Sequence, residues 1–125
     1  TYIKLALENI KTYFNDQVAI TGISLKDLEK NGLTPAQASK QSISELLRSC
    51  IDWQITICLV ETEKNKCEVS MRSHSSEYNV AQVALNLGGG GHVVAAGITL
   101  YSDVPTAIKD IVTEIGKVCP QLNKE

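Results

Sequence analysis

The stretch Gly88-Gly89-Gly90-Gly91-His92-Val93-Val94-Ala95-Ala96-Gly97 is the segment from which the rest of the chain is best read. Four consecutive glycines are costly to order, because glycine loses more conformational freedom on folding than any other residue. A flexible linker would have polar neighbours. This run is flanked by Leu87 on one side and by Val93, Val94, Ala95 and Ala96 on the other, so the loop is expected to be pinned to a core at both ends. A second helix starting near His92 and ending at Gly97 would present free N–H groups and a positive dipole end to an anion. Gly88, Gly89, Gly90 and Gly91 would be the cradle, and His92 would add a donor or a charge.

Just upstream, Asn79 is an N-cap signal before Val80, Val83, Ala84 and Leu87, a short helix that runs into the glycines. Before it, Lys66 to Arg72 alternates, with Cys67, Val69 and Met71 on one face and Glu68, Ser70 and Arg72 on the other. Trp53 to Glu61 is β-branched and nearly continuously apolar, so the two segments read as a hairpin with a loop of about four residues. Arg72 ends its strand on the polar side and is followed by Ser73, His74, Ser75 and Ser76. Arginine is the side chain best shaped to hold a phosphate or carboxylate through two parallel bonds. Only one short helix separates Arg72 from the glycines, so the two can meet on one edge of a sheet as a joint anion site. Trp53 and Tyr78 are aromatics that could stack on bases, and Tyr78 is the better placed.

Further out, Ile3, Ala6, Leu7, Ile10 and Phe14 recur at helical spacing, which predicts a helix over residues 2–14. Gln17 to Ile23 reads as a strand, and Ser24 caps a short helix that ends at Asn31-Gly32. Thr34-Pro35 is a second helix start, followed by a stripe of Ile43, Leu46, Leu47, Cys50 and Ile51. Ile98 to Tyr101 reads as a strand. Asp103 caps a last helix carrying Val104, Ile108, Ile111, Ile115 and Val118, which Cys119-Pro120 stops, and the polar tail Gln121 to Glu125 is expected to fray. The order α-β-α-α-β-β-α-(α)-β-α predicts an α/β fold, a small mixed β-sheet packed with helices in a single domain over residues 1–125.

Composition narrows the function. Of 125 residues, 43% are hydrophobic and 5% aromatic, enough for an independent but aliphatic core. A net charge of −2 argues against a long, sequence-independent grip on duplex nucleic acid and leaves room for a short oligonucleotide or a nucleotide in one pocket. Cys50, Cys58, Cys67 and Cys119 are scattered without a C-x-x-C pair and are expected to be buried and reduced. No signal peptide and no apolar run of about 18 residues is visible, which predicts a cytoplasmic protein without a membrane partner. With His74 and His92 the only histidines and no paired carboxylates beside them, no metal site is expected. The run Gly88-x-Gly90-x-x-Val93 does not complete a dinucleotide-binding fingerprint, and it follows a helix rather than a strand.

The combination of Ser70-Met71-Arg72-Ser73, a short helix, and Gly88-Gly89-Gly90-Gly91-His92-x-x-Ala95-Ala96-Gly97 resembles the DHH-associated C-terminal domain of DHH-family phosphoesterases, nearest to their bacterial nanoRNase and pAp-phosphatase branch. The resemblance implies a substrate-binding domain. Gly89, Gly90, Gly91 and His92, with Gly88 before them, would hold substrate phosphate, and Arg72 and Ser73 would grip it from the neighbouring strand. It also implies that the catalytic residues and the manganese belong to an N-terminal DHH domain. The chain begins at Thr1 and holds no Asp-His-His motif, so it is expected to be a fragment that binds without cleaving. The implied partners are a short oligonucleotide or nucleoside bisphosphate and that N-terminal domain, with a homodimer left open. Two relatives, RecJ-like single-strand exonucleases and cyclic-dinucleotide phosphodiesterases, share the motif, and a further alternative is a tRNA-binding or dimerisation accessory domain of an alanyl-tRNA-synthetase-like protein, which carries a related glycine-rich domain.

Overall fold

The computed structural model describes residues 2–39 and 52–123. The stripe Ile43 to Ile51 lies outside the described residues. Among those described, the elements run α1 (Tyr2–Glu8), β1 (Ile10–Tyr13), β2 (Val18–Ile23), α2 (Leu25–Lys30), α3 (Pro35–Ser39), β3 (Ile55–Glu63), β4 (Lys66–Ser73), α4 (Val80–Asn86), β5 (Gly90–His92), β6 (Ala95–Leu100) and α5 (Val104–Val118), then a 3-10 turn over Pro120–Asn123. Six strands form one mixed sheet in the order β1-β2-β3-β4-β6-β5. The β2–β3 pair is parallel and the other pairs are antiparallel. This is the α/β sheet-and-helix domain that the element order predicts.

Alternation along the strands assigns the two faces. Val18, Ile20, Ile55, Ile57, Leu59, Cys67, Val69, Met71, Ala96 and Ile98 form one core with Val80, Val83 and Ala84 of α4 and Ala107, Ile111 and Ile115 of α5. On the opposite face Ile23, Cys58 and Val60 pack with Tyr2, Leu5 and Ala6 of α1, Leu28 of α2 and Ala38 of α3. Those three helices contact β2 and β3. The opposite face of β4, β6 and β5 is the part left open, where Glu68, Ser70, Gly90, His92 and Gly97 are exposed. The buried hydrophobic set is aliphatic apart from Tyr2, Met71 and the thiols of Cys58, Cys67 and Cys119, which are free.

Three expectations are corrected. The first helix ends at Glu8, and Ile10–Tyr13 is an edge strand paired with β2. Of the expected stripe, Ala6 is buried but Ile3 and Leu7 are 41% and 46% exposed, and Tyr2 and Leu5 are the buried residues beside it. Asn9 marks the break, its side-chain amide donating to Gly22 O at 3.1 Å and to Asp27 Oδ2 at 3.4 Å. The β3–β4 connection is tighter than four residues, with Lys64-Asn65 between the strands and a bulge between Glu61 and Glu63. The tail is ordered through Asn123, because Leu122 is buried and its carbonyl accepts from Gln17 Nε2 at 3.2 Å.

The expected caps are present. Ser24 and Asp27 form a reciprocal capping box, Asn79 accepts from Gln82 N, and Asp103 accepts from Thr106 N at 2.9 Å. The turn after β1 is unusual: Phe14, Asn15 and Asp16 have φ of 56°, 57° and 62°, three successive left-handed residues. An L-residue there costs about 1–2 kcal/mol, less for Asn and Asp and least for Gly. Asn15→Ala is therefore expected to lower stability by about 1 kcal/mol and Tm by roughly 4 °C, while Asn15→Gly holds or raises it. Thermal melts of the two variants check this.

The Asp103 cap carries a pH dependence. Hydrogen bonds from Thr106 hold its carboxyl below the ordinary carboxylate value, so its folded pKa is lower than its unfolded one. Its contribution is present at neutral pH and is lost as pH falls through the folded pKa. Asp103→Asn keeps an acceptor but removes that part of the acid-side slope, which Tm measured from neutral to acid pH would read.

Candidate functional site

The glycine run does not lead into a helix. Gly90–His92 is β5, and it turns at Val93-Val94 to pair with β6. The expected helix from His92 to Gly97, and with it the helix-dipole anion site, is overturned. Residues 92–97 form a hairpin because both carbonyls of the turn are claimed from outside it. Val93 O accepts from Val80 N at 3.0 Å, at the start of α4, and Val94 O accepts from Ser73 N at 3.0 Å, at the end of β4. The loop is pinned at both ends, as its apolar flanks imply.

Three of the four glycines are demanded by the backbone. Gly88 has φ +102° and ends α4, where Gly88 N and Gly89 N bond back to Leu85 O and Ala84 O at 3.1 and 2.7 Å. A Cβ on Gly89 would lie 2.4 Å from Gly97 O, and one on Gly91 would lie 2.6 Å from Ala96 Cα. Gly90 has neither constraint: a Cβ there would meet nothing within 4 Å. It sits opposite Gly97, which sits opposite Ser70, so a strip without large side chains crosses the open face.

Beside that strip runs a second row. Arg72 pairs with Ala95, and Ala95 pairs with His92. Directly paired residues share a sheet face, so Arg72 and His92 stand on the same side, two strands or about 10 Å apart, with only the Ala95 methyl between their positions. His92 is exposed, and Arg72 is half-buried with Nη1 donating to Met71 O at 2.9 Å. The geometry can do one thing well: present a cationic guanidinium and an imidazole to an anion lying over a bare floor.

Ser73 does not join them. One residue past Arg72, its side chain goes to the opposite, fully buried side, and its hydroxyl donates to Ser75 O at 2.7 Å. His74 and Ser76 are exposed beyond the strand end. Tyr78 packs against the α4–α5 core on the far side of the sheet, and Trp53 packs against the second core beside β2 and β3. The residues not singled out from sequence are Glu68, Thr99 and Tyr101. With Ser70, Gly88, Gly89 and Gly97 they line a cavity of about 620 Å³ on the same half of the sheet. The alternation of β4 is the signal that could have found Glu68 and Ser70, since both share the face of Arg72.

Burial pushes the Cys67 thiol up to about 11 and raises Cys58 and Cys119 as well, so these thiols stay protonated at neutral pH and are not nucleophiles. Among the described residues, no three His, Cys, Asp or Glu side chains converge as a metal site, and no helix is long and apolar enough to cross a membrane.

Comparison with known proteins identifies the family and the fold. The DHHA1 domain model matches residues 15–119. A bifunctional oligoribonuclease and PAP phosphatase, NrnA, from Mycoplasma pneumoniae is 31% identical over 111 residues, covering 86% of this chain and 32% of the relative. The chain thus spans about a third of the length of that relative. An exopolyphosphatase-related protein from Bacteroides fragilis superposes with a TM-score of 0.81 at 21% identity, over 98% of this chain and 35% of that one. The C-Ala domain of Aquifex aeolicus alanyl-tRNA synthetase shares the fold at a TM-score of 0.53 and 15% identity, over 82% of this chain and 90% of that domain.

The glycines should separate structural from functional duty. Gly91→Ala is expected to lower Tm by several degrees, because backbone atoms of β6 would have to move. Gly90→Ala is expected to leave the melting curve unchanged. Equal losses in the two variants would show that the run is structural throughout.

Proposed function

The chain belongs to the DHHA1 domain family, and from that premise we propose that it is the substrate-binding domain of a DHH-family phosphoesterase, gripping a terminal phosphate of a short oligonucleotide or of pAp. The observation that carries the reading is the row Arg72–Ala95–His92 on an exposed sheet face beside Gly90 and Gly97. Arg72 supplies a planar pair of donors to phosphate oxygens, and His92 closes on the phosphate from the other side. Gly90 lets the ligand approach the backbone, since no side chain rises there. The oligoribonuclease and PAP phosphatase activities of the Mycoplasma pneumoniae relative suggest the substrate class. The net charge of −2 favours a ligand that needs few phosphate contacts over a long polymer.

Bond breaking belongs in this reading to a preceding DHH domain, where manganese would polarise the phosphate and activate water. This domain positions the ester and does not cleave it. It works in the cytoplasm, where its thiols stay reduced.

Calorimetric titration of the chain with pAp and with a 5′-phosphorylated dinucleotide tests the reading. Arg72→Ala and His92→Ala are each expected to weaken binding about tenfold or more, the scale of losing a charge-assisted hydrogen bond, with Tm retained. Affinities equal to wild type in both variants would sink the clamp. Tighter binding of tRNA than of either small ligand, untouched by Arg72→Ala, would favour the synthetase-type accessory domain. With manganese added, the chain alone is expected to release no nucleotide product.

A further inference from the structure

The open face has two chemically different ends. One carries Arg72 and His92. Four residues back along β4, about 13 Å away at the usual rise per residue, stands Glu68 on the same face. A carboxylate is a poor neighbour for phosphate; Lys66, two residues further back on the same face, feels its charge but is held by Glu63 at 3.2 Å, so Glu68 keeps capacity for a further donor. Glu68 pairs across the sheet with Thr99, whose hydroxyl donates to Glu68 Oε1 and holds the carboxylate in place. That bond uses one of roughly four acceptor positions, and the second oxygen stays available. Just past Thr99, Tyr101 is 78% exposed, the most exposed large apolar side chain of the described residues, although a ring of that size is normally packed away. All three line the same cavity of about 620 Å³, whose floor is Gly89 and Gly97.

An exposed ring beside an oriented carboxylate, over a glycine floor, matches a flat heteroaromatic group with N–H donors on its edge. Among the nucleobases, guanine presents two adjacent donors, the ring N1–H and the exocyclic amino group, and can give both to one carboxylate. Adenine presents one amino group beside an acceptor nitrogen, which the carboxylate repels. We propose that Glu68, oriented by Thr99, and Tyr101 form a nucleobase subsite that prefers guanine, with the ring of Tyr101 as stacking platform. Ser70, Gly97 and Gly90 leave room between the two ends for the sugar. The subsite rests on the phosphate reading of Arg72 and His92, because the phosphate fixes where the base falls.

The test is titration of the chain with 5′-phosphorylated diguanylate and diadenylate, in wild type, Glu68→Gln, Tyr101→Ala and Arg72→Ala. Wild type is expected to prefer diguanylate by about tenfold, the scale of one paired base edge. Glu68→Gln should remove the preference by weakening diguanylate while diadenylate binds as well or better. Tyr101→Ala should weaken both about equally. Equal wild-type affinities, or a preference that survives Glu68→Gln, overturn the subsite. If the two ligands bind equally and Arg72→Ala weakens both, the base subsite falls and the phosphate clamp stands. If neither ligand binds, or Arg72→Ala binds both like wild type, the clamp itself fails and the subsite with it.

Discussion

The antiparallel register that sets Arg72 opposite Ala95, and Ala95 opposite His92, is the constraint on which the rest depends. A slip of one residue would turn every side chain of a strand to the other face. Arg72 and Glu68 would enter the core, and Val69 and Met71 would face water. The register is held from the buried side, where Cys67, Val69 and Met71 of β4 and Ala96 and Ile98 of β6 meet α4 and α5. It is also held at the turn, where Val93 O and Val94 O are tied to α4 and β4. The site is thus placed by packing on the far side of the sheet and by the carbonyl ties at its hairpin turn.

The glycine run serves the same constraint in pieces. Gly88 lets the chain leave α4 with a positive φ. Gly89 and Gly91 let β5 lie so close to β6 that no Cβ would fit. Gly90 alone is free of any such demand. A fold that only needed to close this edge could have carried a side chain at Gly90. Its absence keeps the open face flat beside Gly97 and Ser70.

Much of this was legible in the sequence, and the failures have local causes. The alternation of Lys66 to Arg72 placed Arg72 on the polar side, and the caps at Ser24, Asn79 and Asp103 are where their side chains indicated. The same alternation placed Ser73 with Met71, against its pairing with Arg72 in an anion grip; two residues adjacent on a strand cannot share a face. The helix expected at His92 failed because short apolar runs have no period of their own, and the partners that decide for strand, β6 and the carbonyl clamps at Val93 and Val94, are set by tertiary contact. At the N-terminus, Ile10 lies in helical phase with Ile3 and Phe14. The edge of β2 offered a ladder, however, and Ile10 and Thr12, both β-branched, suit a strand better than a helix.

Local charge matters more here than the total. A net charge of −2 would repel a polyanion weakly at long range, and at physiological salt charges further apart than about 8 Å are largely screened. What a ligand meets is the charge within that reach. At one end of the face that is Arg72 beside an exposed imidazole; at the other it is the carboxylate of Glu68, with the Lys66 ammonium, itself held by Glu63 at 3.2 Å, close by. The two ends are about 13 Å apart, so each acts almost alone. A symmetric anion could settle at the first end in any orientation. A molecule with a phosphate at one end and hydrogen-bond donors at the other can satisfy both ends in a single direction along the strands. In the proposed reading, polarity along β4 would orient a ligand as well as hold it, and it would come from three residues of one strand, Glu68, Ser70 and Arg72, spaced by the two-residue period of the β-sheet.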